Sequence, residues 1–307
     1  MASKQAQRQA ARQQLQERMA AKAQQEQHKR KNGWIIGAVG GAVVLVAAAI
    51  VISVNVSKSG GDDAGALDAD LAALVEDAKA ASTRCDGIEP SGEGALGTAT
   101  EGVTDGQPAQ DVYLECVQMS TPDASATEDC MYTSADGTSP TPAATEPAAG
   151  TQEMTIVTNL GTITADIDTA GAPCTAGSFT HLAQEGYFDA QQCHRLVIEG
   201  IWVLQCGDPD ARAAIEAGTP EMAGAGSPGY SYGEENLPVE AAGNYPAGTI
   251  AMANAGPGTT GSQFFIVYKD TQLPADYTIL GQVTAGLDIV EQVAAAGAMQ
   301  VAPAGGM

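Results

Sequence analysis

Hydrophobic and polar positions change rhythm along the chain. From Trp34 to Val54 run 21 residues without a charge, with Ser53 the only polar side chain among them. At 1.5 Å per residue a helix of that length spans about 30 Å, the hydrocarbon thickness of a bilayer. The run predicts a transmembrane helix over residues 34–54. Apolar positions then thin out. Leu67, Leu71, Leu74 and Val75 form one short amphipathic patch, and Val112 to Met119 reads as one short strand. From Met154 the rhythm becomes period two, with Ile156 and then Ile163, Ala165 and Ile167 on either side of Asn159-Leu160-Gly161, the pattern of a β-hairpin. Thr175 to Glu185 carries Phe179, Leu182 and Ala183 at helical spacing and stops at Gly186, a residue suited to a left-handed helix end. Further strands are predicted over 195–197, 202–205, 249–253, 263–268 and 277–283, with a last helix over 287–296. Many short strands with two isolated helices predict a mainly β domain over 151–307, a barrel or sandwich closed at its ends.

Charge sharpens the division. Residues 1–33 carry eight Lys and Arg against two Asp and Glu, whereas the remaining 274 carry six against 35. By the positive-inside rule this basic, Gln-rich tail is cytoplasmic, and everything beyond residue 54 is extracytoplasmic. Gly37 and Gly41 form a GxxxG on which two such helices can pair into a homodimer. The acidic main body excludes nucleic acid as a partner, because it repels phosphate and releases no counterions. Residues 55–150 are rich in acids, Gly, Ser, Thr and Pro, and read as a disordered acidic linker, with room for a small disulfide-tied element.

Candidate chemistry is sparse. After Arg84 the chain has three cations, Arg195, Arg212 and Lys269, and Arg195 sits in an apolar strand beside His194 and Leu196. A guanidinium there points at a carboxylate, a carbonyl or a ligand, because an isolated buried charge is costly. Alternation puts Cys193 on the face of Arg195 and His194 on the other, so Cys193 and His194 make no nucleophile and base pair. Cys193, His194 and Cys206 lack the spacing of a zinc site, and no metal is expected. There is no GxSxG, HExxH or Walker motif, and no GxGxxG within a βαβ unit.

What remains is the run Ala251-Met-Ala-Asn-Ala-Gly-Pro-Gly-Thr-Thr-Gly-Ser-Gln-Phe-Phe265, preceded by Cys193-His194-Arg195-Leu196 and Gln205-Cys206-Gly207-Asp208 and followed by Leu273 and Gly281-Gln282-Val283. On these residues the chain resembles the cyclophilin-type peptidyl-prolyl isomerases over about residues 153–297, and its layout is similar to membrane-anchored bacterial members. The resemblance implies an eight-stranded antiparallel barrel capped by two helices. It implies cis-trans isomerisation of proline-containing segments of unfolded or secreted proteins, with no cofactor. By motif position it gives Arg195, Gln205, Asn254 and Gln263 catalytic roles, and places Ile201 or Trp202 with Ala253, Phe265, Leu273 and Tyr277 around the proline. The alternative is a non-catalytic proline-peptide-binding or scaffolding module on the same barrel.

Departures from the family pattern are specific. The stretch from Arg195 to Gln205 is two residues longer and has no Pro before Gly200, Gln272 stands where a Trp is usual, and Tyr277 stands where a His is usual. Ala211 to Ala223 is an added loop, and the last strand of the family is expected to be missing. All six cysteines lie beyond residue 54. They allow 15 pairings. Cys85 with Cys116 is the preferred pair because a bridge there adds most order, and Cys193 and Cys206 are expected as free core thiols.

Overall fold

The computed structural model describes residues 83–94, 105–137 and 139–300. The segments read as the cytoplasmic tail (1–33) and transmembrane helix (34–54) lie outside these, as does the patch at Leu67 to Val75. No helix of the described residues is long and apolar enough to cross a membrane.

The chain first makes β1 (Asp105–Pro108), β2 (Tyr113–Met119), β3 (Asp123–Asp129), β4 (Thr133–Ser134) and β5 (Thr145–Ala149). The predicted hairpin follows as β6 (Gln152–Thr158) and β7 (Gly161–Ile167), then helix α1 (Pro173–Gln184). Next come β8 (Gln191–Gln192), β9 (Arg195–Val197), β10 (Val203–Cys206), the short helix α2 (Ala211–Glu216) and β11 (Tyr230–Ser231). The chain then forms β12 (Thr249–Met252), β13 (Phe264–Val267), β14 (Ile279–Ala285), α3 (Leu287–Ala296) and β15 (Ala298–Gln300). The α1 helix ends where expected. Gly186 has φ +65°, and Tyr187 N–H reaches back to Leu182 O at 2.9 Å.

Among the described residues eleven strands make one curled antiparallel sheet in the order β15-β1-β9-β10-β13-β12-β14-β7-β6-β2-β8. Its inner face and helices α1 and α3 enclose the main core, where Phe179 stacks on Phe188 with ring centroids 5.0 Å apart and meets Phe264 edge-on at 5.4 Å. Three expectations are corrected here. The sheet has eleven strands with β15 and β8 at its ends, where an eight-stranded barrel was expected. The acidic stretch assigned to a linker is also folded from Asp105 onward, so the β domain begins well before residue 151. β2 pairs with β6 through five residue pairs and sends Leu114, Val117 and Met119 into the core. β1 bridges β9 and β15, the closing strand expected to be missing. The physical reason is that short strands flanked by Gly, Pro and Asp carry little periodicity of their own and form because an existing sheet edge supplies the pairing.

All six cysteines are bonded, as Cys85–Cys116, Cys130–Cys174 and Cys193–Cys206. The preferred pair is present, while the expected free thiols at Cys193 and Cys206 are joined. The first two bridges tie the N-terminal segment together and fasten it to α1.

Burying Leu114, Val117 and Met119 contributes roughly 1.5–3 kcal/mol each, and their sum is comparable with the about 5–15 kcal/mol that holds a whole domain folded. A chain begun at residue 151 is therefore expected to lack a cooperative unfolding transition by circular dichroism, whereas one begun just before Thr83 melts cooperatively. Equal melting temperatures for the two would refute the role given to β1 and β2.

Candidate active site

Four central strands of the sheet are buried on both faces. Leu196, Leu204, Ile266 and Ile250 point into the main core. On the opposite face their neighbours form two cross-strand rows. Val197, Val203 and Val267 make one row, and Arg195, Gln205, Phe265 and Ala251 make the next. Period-two alternation puts Gln263 and Ala253 on this same face, joined by the Ala253 N–H to Gln263 O bond of 2.9 Å. Backbone pairing alone thus brings predicted residues from three distant stretches of sequence onto one surface.

The apolar part of this surface is a second hydrophobic cluster. Phe265, Val197, Val203, Tyr245, Ala251 and Val267 are buried in it, with Ile201, Ala253, Leu273, Tyr277 and Ile279 packed against them. Phe265 meets Tyr277 edge-on with ring centroids 5.7 Å apart, and Tyr245 lies 6.3 Å from Phe265. Tyr245 donates its hydroxyl to Tyr277 O at 2.9 Å and accepts from Tyr277 N–H at 3.1 Å, so it fixes the backbone that carries the Tyr277 ring. Asn244 holds Leu273 in the same way, donating to its carbonyl at 2.9 Å and accepting from its N–H at 3.2 Å.

Ile201 and Trp202 pack against different clusters. Ile201 joins the cluster beside Phe265. Trp202 instead packs toward the main core, with Lys269 Nζ 4.2 Å from the centre of its ring. Trp202 is therefore not part of the cluster that holds Phe265. The longer connection between β9 and β10 turns consecutive side chains to opposite sides of the sheet, so only one of the two can face the cluster.

The polar part is a chain of hydrogen bonds. Gln205 Oε1 accepts from Arg195 Nη1 at 3.3 Å, and Gln205 Nε2 donates to Gln263 Oε1 at 2.9 Å. Gln263 Nε2 then donates to Gly224 O at 2.9 Å and Gly226 O at 2.8 Å. The added loop folds as α2 and a short 3-10 turn at Pro220–Met222, and the glycines that follow it directly, Gly224 and Gly226, deliver the carbonyls that set the amide orientation of Gln263. On its other edge Arg195 is held by Asp105, with Nε 2.8 Å from Oδ1 and Nη2 2.7 Å from Oδ2. Asn254 lies apart from this chain. Its side chain donates to Asp276 O at 2.8 Å and accepts from Gly256 N–H at 3.1 Å, which shapes the loop and leaves its backbone as the part available to a ligand.

His194 is buried beside Gly224, ahead of the strand that starts at Arg195, and burial pushes it down to about 4, so it is neutral at pH 7. Cys193 departs from its expected face. The strand starts only at Arg195, so alternation does not extend back to Cys193, which enters the main core bonded to Cys206. Among the described residues no group of His, Cys, Asp or Glu has the arrangement of a metal site. Sequence reasoning missed Asp105, Tyr245, Asn244 and the Gly224 and Gly226 carbonyls. None sits in a recognisable motif, and only the tertiary fold brings them to the site.

A model of the family "Cyclophilin type peptidyl-prolyl cis-trans isomerase/CLD" matches residues 153–304. A protein of Mycobacterium tuberculosis named probable peptidyl-prolyl cis-trans isomerase B is 41% identical over 164 residues, which cover 50% of this chain and 49% of the relative. The human peptidyl-prolyl cis-trans isomerase-like 1 is 36% identical over 138 residues, covering 44% of this chain and 75% of its own. A crystal structure of a Cryptosporidium parvum cyclophilin-type isomerase aligns with 47% of this chain and 84% of its own at 26% identity, with a TM-score of 0.38. The chain spans about half the length of the mycobacterial relatives it matches.

Proposed function

Because the chain belongs to the cyclophilin-type peptidyl-prolyl isomerase family, we propose that it is itself a peptidyl-prolyl cis-trans isomerase acting on proline-containing segments. The observation that carries this reading is the position of Arg195. Its guanidinium lies in the same cross-strand row as Phe265, at the edge of the apolar cluster, and spends three of its five N–H groups on Asp105 and Gln205. One N–H on each terminal nitrogen is left for a substrate.

The chemistry follows from the amide. Rotation about an X-Pro bond meets a barrier of about 18–20 kcal/mol because resonance must be broken. In the twisted transition state the prolyl nitrogen becomes pyramidal and gains a lone pair. Arg195 donates a hydrogen bond to that lone pair, which the planar ground state does not offer, so the interaction lowers the barrier without tightening ground-state binding. Ile201, Phe265, Leu273 and Tyr277 hold the proline ring and exclude water around the nitrogen. Gln205 and the backbone at Ala253 and Asn254 hold the chain on either side, and Gln263 keeps Gln205 turned toward Arg195. None of these steps uses a nucleophile, a metal or a cofactor.

The test is NMR exchange spectroscopy on an Ala-Ala-Pro-Phe peptide with the full chain in detergent. Cis-trans exchange is expected to accelerate, and Arg195→Ala to reduce the acceleration by about 10²-fold, the usual cost of one transition-state donor. Peptide shifts without acceleration would replace this reading with the non-catalytic binding module. The pocket also supports a drug-binding prediction. Gln272, at the place of the usual Trp, accepts from Gly243 N–H at 2.9 Å and supplies no aromatic face. Cyclosporin is expected to inhibit only above nanomolar concentrations, and a nanomolar inhibition constant in titration would reject this.

The finer proposal is that the enzyme is a single-pass membrane protein, with residues 1–33 cytoplasmic and the β domain extracytoplasmic. Its support is the uncharged stretch at 34–54, the basic tail before it and the pairing of all six cysteines, since disulfides persist in oxidising compartments. Gly37 and Gly41 supply a face on which two such helices pair. Protease added to intact cells should remove an epitope at the C-terminus and spare one at the N-terminus. Protection of both places the domain inside, contrary to the proposal.

A further inference from the structure

We infer that Asp105 is a positioning residue for Arg195, and that the segment ahead of the family-matched region completes the active site by supplying it. The inference rests on the isomerase reading above. Asp105 precedes by 48 positions the first residue that the family model matches, at 153. It reaches the site because β1 inserts between β9 and β15, with Asp105 opposite Val197 and Gly106 opposite Leu196. On an antiparallel pair the residue opposite Val197 shares a face with Arg195, two residues along, within reach of a long side chain.

The geometry is that of a two-pronged clamp. Asp105 engages the Nε and Nη2 edge of the guanidinium, with the Nη2 bond at 2.7 Å, while Gln205 takes Nη1 at 3.3 Å. A planar group held from two edges by partners on two strands has its plane and its tilt defined. The two remaining N–H groups are aimed by that orientation. Exposure separates this arrangement from a stability device. The side chains of Arg195 and Asp105 are 38% and 51% exposed, a setting in which an ion pair contributes little to folding. An aligned donor matters far more to a reaction whose only chemistry is one hydrogen bond formed in the transition state, since small misplacements of a catalytic group are costly.

The test uses the full chain in detergent and the Ala-Ala-Pro-Phe peptide. Asp105→Ala is expected to lower kcat/KM about tenfold, almost entirely in kcat, with KM within about twofold of the unsubstituted chain. Asp105→Asn, which keeps the shape and one acceptor, should fall between, and Asp105→Glu should recover most of the loss. The Arg195 Nε–H resonance, assigned by its disappearance in Arg195→Lys, should be protected from solvent exchange in the unsubstituted chain and lose protection in Asp105→Ala. A kcat in Asp105→Ala within twofold of the unsubstituted chain overturns the inference. So does a rise in kcat, which would mean that Asp105 blocks Arg195. If the unsubstituted chain does not accelerate exchange, the isomerase reading falls, and peptide affinity then decides. A fivefold weaker Kd in Asp105→Ala keeps Asp105 as the residue that orients Arg195 for the ligand, and an equal Kd removes it.

Discussion

Backbone pairing across β9, β10, β13 and β12 is the constraint on which the site depends. Each of these strands is short, and each is covered on both faces, by the main core on one side and the smaller apolar cluster on the other. A slip of one residue in any of them would send its buried set to the wrong face, so the register is strongly specified. That register puts Arg195, Gln205, Phe265 and Ala251 side by side. The arrangement of the candidate site is therefore a by-product of core packing, held in place by buried residues of the two clusters.

The second feature is the sheet edge. A curled sheet whose outer strands stay unpaired exposes N–H and C=O groups that invite association. Here β2 covers β6, while β1 ties β9 to β15. The N-terminal segment is acidic and rich in Gly and Pro, which would leave it disordered alone. It folds because the sheet offers it a ready ladder and because Cys85–Cys116 and Cys130–Cys174 shorten the chain it must order. Once there, it contributes core volume through Leu114, Val117 and Met119 and chemistry through Asp105. Stability and function come from the same insertion.

Hydrogen-bonding polarity runs in one direction through the site. The Gly224 and Gly226 carbonyls accept from Gln263, whose own oxygen must then accept from Gln205, whose oxygen in turn faces Arg195. Each amide has only one orientation that satisfies its neighbours. The stretch at Gly224 and Gly226, which directly follows the added loop with α2, thus acts on Arg195 at two removes.

The order of strands and helices from Met154 to Ala296 was legible in the sequence because it is carried by local periodicity. Alternation needs only neighbours two apart, and the α1 end needs only Gly186. As candidates, Gln263 and Phe265 were legible through the run Ala251–Phe265, Gln205 and Leu273 through the shorter matches on either side of it, and Arg195 as a lone arginine in an apolar strand. Of the strands before residue 151, β2 was legible as the short strand read over Val112 to Met119, while β1, β3, β4 and β5 were not. Their residues bury little on their own and gain their conformation from a partner strand far away in sequence. The partners of Cys193 and Cys206, the choice of Ile201 over Trp202, and the clamp on Arg195 by Asp105 were decided by tertiary structure alone. Each depends on which distant segments meet, and period-two alternation carries no information across a loop whose length differs by two residues or a strand that joins the sheet from 90 positions away.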